Sequence, residues 1–544
     1  MKKDISFTLK RADKFQVILI GEGVLVGLVA GLVVLLYRIA LEYAGEWRNM
    51  VLGMAEKSPL YIAGWFVALA IMAVIVARLL KFESLISGSG IPQLKAEMIN
   101  KLDTCWWKIV LAKFVGGFLC IFGGLALGRE GPSIQLGAMT GKGVSKSLDR
   151  GKTEEKFLLT CGASAGLAAA FHAPLAGVMF SLEEIHKNFS VSVLLSVMTA
   201  SLTADVLCST ILGVDAVFSF EVVDVLPLRY YGAIVLLGFV LGLMGAFYNW
   251  FTLKAQEIYG KAKFLGDTGK IVVPFMCAGV LGFTVPEILG SGHELIEDMT
   301  AGGMMLGTVV LIFVGRFIFS AVSFGSGAPG GIFFPLLVLG GFIGGAFATA
   351  GIQYFGMDPV YLSNFVILAM AGYFAAIVRA PLTGIVLIFE MTGSVNHMLS
   401  LSIVSITAYI VATLLRSKPI YESLMDRLLA KRGEVATTNN VREKILTNFV
   451  VSQGSRIEQK LISEVTWPDN CLLVSVQRGV DEIIPKGKTK LLAGDIIVAM
   501  TDERDSAMIQ EKMEILCGER RGRFGFKKDI VEKERKQYKK GKRG

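Results

Sequence analysis

The chain has 544 residues, of which 53% are hydrophobic and only 19% are charged, whereas soluble domains are about 25% charged. Its mean hydropathy of +0.58 excludes an ordinary soluble protein and indicates a membrane protein. The seven cysteines and four histidines are dispersed, without the spacing of a disulfide framework or a zinc site. We therefore expect no metal site.

Apolar runs recur along the first three quarters of the chain, and a membrane helix needs about 20 such residues. The basic start MKKDISFTLKRADKF leads into a run much longer than a signal-peptide core, which predicts a retained cytoplasmic terminus. The clearest runs are 15–36, 61–80, 106–127, 191–212, 231–251, 271–289, 304–319, 332–348 and 399–415. They predict an all-α membrane domain that crosses the bilayer several times.

Three glycine-rich motifs interrupt this apolar pattern: GSGIPQ (88–93), GREGPSIQLG (128–137) and GSGAPGGIFFP (325–335). Each joins an apolar run to a second run that is able to form a helix. Non-helical backbone at membrane depth is tolerated only where it is buried in protein or lines a water-filled cavity. Three such breaks therefore predict a cavity.

The chemistry that suits these breaks is anion binding. A helix that begins there leaves its first N–H groups unpaired and carries about half a positive charge, while glycine lets the backbone approach an ion closely. A site built from dipoles also releases its ion readily, as permeation requires. GSGAPG matches a dinucleotide-binding turn too, but it follows an apolar run rather than a short strand. A nucleotide-dependent oxidoreductase is thus the weaker alternative.

Glu130, within GREGPSIQLG, places a carboxylate in a membrane span. Insertion of such a charge costs about 3 kcal/mol or more, which makes a functional role the first hypothesis. Aimed at positive helix ends, this carboxylate would compete with an anion for one position. Once protonated it would be neutral and could swing aside, so it would act as gate and proton carrier. The alternative is a structural partner for Arg129.

A weak internal repeat aligns AAAFHAPLAGVMFSLEE with AAIVRAPLTGIVLIFEM at an offset of 207 residues. Two halves that each carry a proline-interrupted hydrophobic pair are typical of transporters built from inverted repeats. Glu183 aligns with Glu390, which predicts a structural role for both as buried hydrogen-bond acceptors. Glu184 has no acidic counterpart and is the better candidate for taking protons from the cytoplasm. Its alternative is a solvated helix end beside Lys187.

Beyond about residue 416 the hydrophobic spans stop and a charged, amphipathic stretch follows. CLLVSV, DEIIP and GDIIVAM predict β-strands, and SAMIQEKMEIL predicts a closing helix. The chain is therefore expected to divide into a membrane domain (1–430), a linker (431–447), a small cytoplasmic α/β domain (448–517) and a tail (518–544).

The tail is strongly basic, since residues 520–544 hold 12 Lys/Arg against 3 Asp/Glu. This composition predicts a disordered, solvated end on the cytoplasmic side. Anionic membrane lipid is the alternative partner. No nucleic-acid partner is expected, because aromatic residues are not interleaved with the basic ones.

GSGIPQ, GREGP and GGIFFP, in this order and within glycine-broken spans, resemble the three anion-site signatures of the CLC chloride channels and transporters. KPIYESL (418–424) resembles the last pore segment of that family. The resemblance covers residues 10–430. It implies a membrane fold of inverted halves and homodimers with one pathway in each subunit. Chloride and protons are the implied substrates, and no cofactor or catalytic residue is implied.

The resemblance also implies a central chloride site. It would be formed by the hydroxyls of Ser89 and Tyr421 and by the backbone N–H groups of Ile332 and Phe333. Ser89, where nitrate-preferring members have proline, favours chloride. The glycines implied to support the backbone around the ions are Gly88, Gly90, Gly128, Gly131, Gly330 and Gly331.

Two carboxylates carry the implied proton chemistry. Glu130 matches the gating glutamate of the family, and Glu184 matches the internal proton glutamate of its exchanger branch. Proton-coupled chloride exchange is thus expected, with a passive chloride channel or a fluoride/proton antiporter as alternatives. Gln93 departs from the glutamate of many relatives, and we expect this to affect local hydrogen bonding more than ion choice.

LLVSVQRGVDEIIPKGKTKLLAGDIIVAM resembles the C-terminal ligand-sensing half of the regulators of potassium conductance, the TrkA-C domain. The resemblance implies a regulatory site for a small molecule, or else a module for dimerisation and stability. Its combination with a CLC-like domain points to a prokaryotic plasma membrane, with both termini cytoplasmic.

Overall fold

The computed structural model describes residues 2–55, 58–187, 189, 191–213, 226–301, 304–393, 396–433, 444–479, 481–502 and 506–518. The chain forms two compact units, Met1–Val435 and Ala436–Gly544. The predicted basic tail lies outside the described residues from position 519 onward.

The regular elements among the described residues of the first unit are helices. Its helices are α1 (Lys2–Ala55), α2 (Pro59–Phe82), α3 (Ile91–Met98), α4 (Trp106–Phe122), α5 (Glu130–Ser147), α6 (Lys152–Phe171), α7 (Pro174–Phe180), α8 (Val191–Leu212), α9 (Tyr231–Lys261), α10 (Gly266–Thr284), α11 (His293–Thr300), α12 (Leu306–Gly325), α13 (Phe333–Phe355), α14 (Leu362–Val378), α15 (Pro381–Thr392), α16 (Met398–Leu414) and α17 (Ile420–Lys431). A π-helical segment, Ser181–His186, continues α7. Eight of the described helical segments are long and apolar enough to cross a membrane.

Each predicted apolar run overlaps a helix, but several helices begin or end elsewhere than the runs, and several helices lie outside them. The predicted run 271–289 is too long: α10 ends at Thr284, because the residue before Pro286 is biased away from helical backbone. The run 106–127 is also too long, since α4 ends before the glycine pair at 123–124, of which Gly124 has φ +83°. Helix α14, which is buried along its whole length, was not among the predicted runs.

Helices α5 and α6 lie in direct backbone contact, which places the start of α5 firmly in the protein interior. A Cβ on Gly137 would collide with the carbonyl of Gly162, and one on Gly141 would collide with the carbonyl of Leu158. Small residues at such positions let membrane helices approach closely. Glu130, the first residue of α5, is therefore carried by a rigid pair of helices.

The internal repeat folds into two matching helix pairs, α6–α7 and α14–α15, each broken just before its proline. The carboxylate of Glu390, at the end of α15, accepts hydrogen bonds from the first N–H groups of α7 at 2.8 and 2.7 Å. Glu183, which follows α7, accepts the equivalent bonds from the start of α15, including the Thr383 N–H at 2.8 Å. The predicted structural role of both glutamates is confirmed, although both are only half-buried.

The second unit is an antiparallel sheet with strand order β1-β4-β2-β3 and one helix. Its elements are β1 (Lys444–Val450), β2 (Cys471–Arg478), β3 (Asp481–Ile483), β4 (Ile496–Asp502) and α18 (Ser506–Cys517). Apolar residues of the sheet and of α18 form one core. The three predicted strands and the closing helix are confirmed. Strand β1 was not predicted, and it begins within the residues assigned to the linker.

An ion pair between the buried Asp495 and the partly exposed Arg478 fixes the turn before β4. The Asp495 carboxylate accepts two hydrogen bonds from Arg478 and one from the Leu492 N–H, each at 2.8 Å. Burial alone would raise the pKa of the Asp495 carboxyl, but these hydrogen bonds outweigh burial and hold the pKa below its usual value. The pair therefore stabilises the second unit at neutral pH.

Candidate anion and proton site

The three glycine-rich motifs meet in the centre of the first unit, where their backbones hydrogen-bond to one another. The Gly330 N–H donates to the Gly88 carbonyl at 3.1 Å. Gly128 and Gly331 exchange two bonds, of 2.7 and 2.8 Å, as a short antiparallel bridge. GSGAPGGIFFP thus lies between the other two motifs. The sequence predicted a shared cavity, and the fold brings the three breaks together.

The glycines at this junction are required by close approach. A Cβ on Gly131 would lie 2.8 Å from the Cβ of Ser89 and 2.9 Å from its carbonyl oxygen. Gly90 has φ +90°, which side chains rarely adopt, and a Cβ there would collide with the side chain of Gln135. Any larger residue would push GSGIPQ away from the start of α5.

The two predicted chloride-binding hydroxyls are buried and unused by the protein. Ser89 is 1% exposed and Tyr421 is fully buried. Neither hydroxyl has a hydrogen-bond partner among the described residues. Buried polar groups are almost always hydrogen-bonded, and such a pair of donors suits a bound anion.

The predicted backbone donors lie at the start of α13. Ile332 is the N-cap residue and Phe333 is the first residue of the helix, and both are fully buried. First-turn N–H groups have no acceptor within their own helix. The rings of Phe333 and Tyr421 both contact Phe180, with centroids 5.6 and 6.5 Å away. The fold thereby connects α13 with α17.

Glu130 lies at the same helix start. Its carboxylate is 1% exposed and lies beside the Phe334 N–H, in the first turn of α13. The Arg129 Nε lies 3.9 Å from Glu130 Oε1, and the Arg129 Nη1 lies 3.8 Å from Glu42. The alternative role as a partner for Arg129 therefore amounts to one long contact that Arg129 shares with a second carboxylate. The Glu130 carboxylate thus lies between Arg129 and the positive end of α13.

Glu184 lies in the π-helical segment and is 5% exposed. The alternative of a solvated helix end is wrong, because its carboxylate accepts a 2.6 Å hydrogen bond from the buried Lys95. Lys187 instead forms an ion pair with Glu422. Single π-helical turns are frequent at functional sites.

Lys113 is a charged neighbour of the anion motifs that the sequence analysis missed. It lies within α4, is fully buried, and donates a 2.8 Å hydrogen bond to the Ile86 carbonyl and another to the Gly88 carbonyl. The structure gives it no carboxylate partner within the described part of the chain. The sequence feature that could have identified it is a lysine inside an apolar run, because such a lysine is costly in a membrane span and therefore suggests a function.

Gln93 bears out the expected local effect of its departure from glutamate. Its Nε2 donates a 2.8 Å hydrogen bond to the Ser87 carbonyl. An ionised glutamate has no donor for this bond. Gln93 thus makes a backbone contact just before GSGIPQ that an ionised glutamate could not make, while its small effect on ion choice stays a prediction.

A cavity reaches Ser89 and is lined by residues of two predicted pore segments, GSGIPQ and KPIYESL. Ser89, Leu424, Arg427 and Lys431 are among the residues that line it. A neighbouring cavity shares Lys431 and adds further basic residues, which are Lys81, Lys270 and Arg432. Such a surplus of positive charge raises the local concentration of anions. The arrangement can therefore collect an anion and deliver it to the motifs.

Comparisons with known proteins place this site in a family of known fold. Residues 68–413 match the family model described as voltage gated chloride channel. The chain belongs to the CLC family. Its second unit contains a match, over residues 446–514, to the TrkA-C domain. Both predicted resemblances are confirmed.

Several curated CLC relatives are similar over most of their length. The H+/Cl− exchange transporter ClcA of Vibrio cholerae is 36% identical over 440 residues, which cover 79% of this chain and 93% of the relative. ClcA of Vibrio vulnificus is 37% identical over 416 residues, covering 74% and 88%. ClcA of Yersinia pseudotuberculosis is 32% identical over 452 residues, covering 81% and 94%.

Solved CLC structures share the fold. A slow cyanobacterial Cl−/H+ antiporter aligns with a TM-score of 0.72 and 29% identity, covering 76% of this chain and 99% of that chain. A CLC-type fluoride/proton antiporter aligns with a TM-score of 0.61 and 20% identity, covering 74% and 97%. The latter likeness supports the membrane fold alone.

Proposed function

We propose that this CLC protein exchanges chloride for protons across the plasma membrane of a prokaryote. The observation that carries the proposal is the position of Glu130, whose carboxylate lies at the start of α13 beside the Phe334 N–H. That position is where helix geometry favours a negative charge. The curated relatives named as H+/Cl− exchange transporters support the same activity.

Chloride binds in this scheme between two hydroxyls and one helix start. Ser89 and Tyr421 donate their unused hydroxyl hydrogens, and Ile332 and Phe333 donate backbone N–H groups. Hydrogen bonds to an ion are stronger than those between neutral groups. The chloride is therefore held without direct contact to a cationic side chain and can leave again.

Glu130 and chloride compete for the same positive region. An ionised Glu130 carboxylate occupies it and closes the path. Protonation removes the charge, so the side chain leaves the helix start and an anion takes its place. Each opening thus loads one proton, which couples the two fluxes. Glu184 exchanges this proton with the cytoplasm.

The remaining features of the proposal concern assembly and orientation. The chain forms a homodimer with a separate pathway in each subunit, and both termini lie on the cytoplasmic side. No cofactor takes part in the exchange. The TrkA-C unit binds a small regulatory molecule, and the membrane lipid surrounds the exposed apolar side chains of the first unit.

The test is a paired measurement of chloride and proton flux in proteoliposomes. An outward chloride gradient should drive protons uphill into the vesicles. Glu130→Ala should pass chloride without protons, and Glu184→Gln should lose proton movement while it retains anion flux. Chloride flux with no proton movement in the wild type would instead identify a passive channel. A fluoride electrode, read against a chloride electrode, separates chloride from fluoride transport.

A further inference from the structure

Four charged side chains form a chain of alternating sign from the buried Glu184 toward solvent. Lys95 Nζ lies 2.6 Å from Glu184 Oε1 and 3.9 Å from Glu422 Oε1. Glu422 in turn pairs with Lys187, whose side chain is 54% exposed. Lys95 therefore faces two carboxylates at once, one in hydrogen-bond contact and one within ion-pair distance.

We infer that Lys95 is a positioning residue for proton transfer, and that Glu422 is its alternate partner. While Lys95 is bonded to Glu184, the ionised form of that carboxylate is stabilised. When Lys95 turns to Glu422, Glu184 loses its counter-ion and takes up a proton. The inference rests on the proposed exchange of chloride for protons.

The geometry favours a switch between partners rather than a fixed pair. Lys95 belongs to the short helix α3 and Glu422 to the first turn of α17, whereas Glu184 lies in the π-helical segment. Removing the partner of a buried ion pair is strongly destabilising, and here a second carboxylate is already within 3.9 Å of Lys95. When Lys95 moves from Glu184 to Glu422, no charge is left unpaired, because Glu184 is then protonated and neutral.

Other charged residues face this cluster, and Lys187 lies within electrostatic range of Glu184 as well. Lys187 bonds to Glu422, and Lys418 lies within electrostatic range of Glu422. Tyr421, a proposed chloride donor, precedes Glu422 in the chain and lies within electrostatic range of both Glu184 and Glu130. The proton residues and the anion site are therefore adjacent, as coupled transport requires.

Lys142 shows what a fixed buried lysine looks like in this protein. It bonds to Glu97, to Asp103 at 2.7 Å, and to the Thr104 carbonyl at 2.8 Å. All of its contacts are within hydrogen-bond distance. Lys95, by contrast, hydrogen-bonds to Glu184 and lies within ion-pair distance of Glu422.

The experiment measures proton and chloride flux in proteoliposomes over a range of symmetrical pH. In Lys95→Met, Glu184 loses its counter-ion, so the pH of half-maximal proton flux should rise by about 1 unit or more. In Glu422→Gln, Lys95 stays with Glu184, so this midpoint should fall. Lys95→Arg keeps the charge and should restore the midpoint toward the wild-type value.

The double variant tests whether Glu422 acts through Lys95. Glu422→Gln should shift the midpoint less than half as far in the Lys95→Met background as in the wild type, because only direct repulsion between the carboxylates remains. Glu257→Gln is the matched control, since Glu257 also lies between two lysines, at 3.1 and 2.6 Å, but on α9. It should leave the midpoint unchanged.

Two outcomes would overturn the inference separately from the proposed function. If the wild type exchanges protons but the midpoints of Lys95→Met and Glu422→Gln do not move, the pair is only structural. The same follows if Lys95→Arg shifts the midpoint as far as Lys95→Met. If the wild type moves chloride without protons, the proposed exchange itself fails. Glu422→Gln keeps the test usable if Lys95→Met does not fold, because the Glu422 side chain is 30% exposed.

Discussion

Removal of either unused hydroxyl at the anion site should weaken chloride binding without weakening the fold. Ser89→Ala and Tyr421→Phe each delete one donor that has no protein partner among the described residues. No protein group loses a hydrogen bond, so the free energy of unfolding in chloride-free buffer should change by less than about 1 kcal/mol. The affinity for chloride should fall, because the ion loses a donor in a buried site.

The size of the loss follows from the charge on the ion. A hydrogen bond to a charged partner contributes about 1.5–3 kcal/mol, and about 1.4 kcal/mol corresponds to a tenfold change in Kd. Each variant should therefore bind chloride roughly 10- to 150-fold more weakly. The ring of Tyr421 remains against Phe180 in the phenylalanine variant, which limits any repacking.

Isothermal titration of chloride into detergent-solubilised protein, in a buffer of a large non-permeant anion, measures this affinity. Ser405→Ala and Tyr373→Phe are matched controls, since both residues are fully buried and their hydroxyls also have no partner in the described part of the chain. They lie outside the three motifs and should leave Kd unchanged. Wild-type affinity in both site variants, or equal losses in the controls, would refute the proposed chloride site.

Three further predictions concern the supporting structure. Gly131→Ala should destabilise the protein by about 1–3 kcal/mol in thermal unfolding, because its Cβ would lie 2.8 Å from the facing motif. Glu390→Gln should cost about 1–2 kcal/mol in the same assay, because one of two capped N–H groups loses a charged acceptor. Asp495→Asn should destabilise strands β2 and β4 by about 1–2 kcal/mol at pH 7, as read by hydrogen exchange. That loss should begin to shrink as the pH falls below about 3.9 and should disappear only below the lowered pKa of the folded protein, since Asp495 contributes this stability only while its carboxyl is ionised.

Each of these has its own control. Gly45→Ala, in α1 with open space around the new Cβ, should be neutral or stabilising by up to about 1 kcal/mol, and equal losses at both glycines would contradict the close-approach argument. Glu183→Gln should match Glu390→Gln in sign, since the two caps are reciprocal. For Asp495→Asn, a loss that stays the same size as the pH falls from 7 to well below about 3.9 would show that the carboxylate charge is not the cause.

The amino-acid sequence alone defines the membrane unit, the three glycine-rich motifs and the repeat. These features are local: an apolar run, a glycine or a proline acts on its own few residues, and the helix breaks follow from them. Glu130 was identifiable because a carboxylate within a span is costly. The alignment of Glu183 with Glu390 also indicated a shared structural role, which the reciprocal caps bear out.

Which charged residues face one another is set by the tertiary fold. Lys95 and Glu184 are 89 positions apart, and no spacing rule pairs them with Glu422 in the last helix of the unit. The buried Lys113 and the unused hydroxyls of the anion site are likewise defined by contacts between distant segments. Electrostatic energy depends on distance and burial in space, so a sequence can name the charged residues but cannot say which of them face one another.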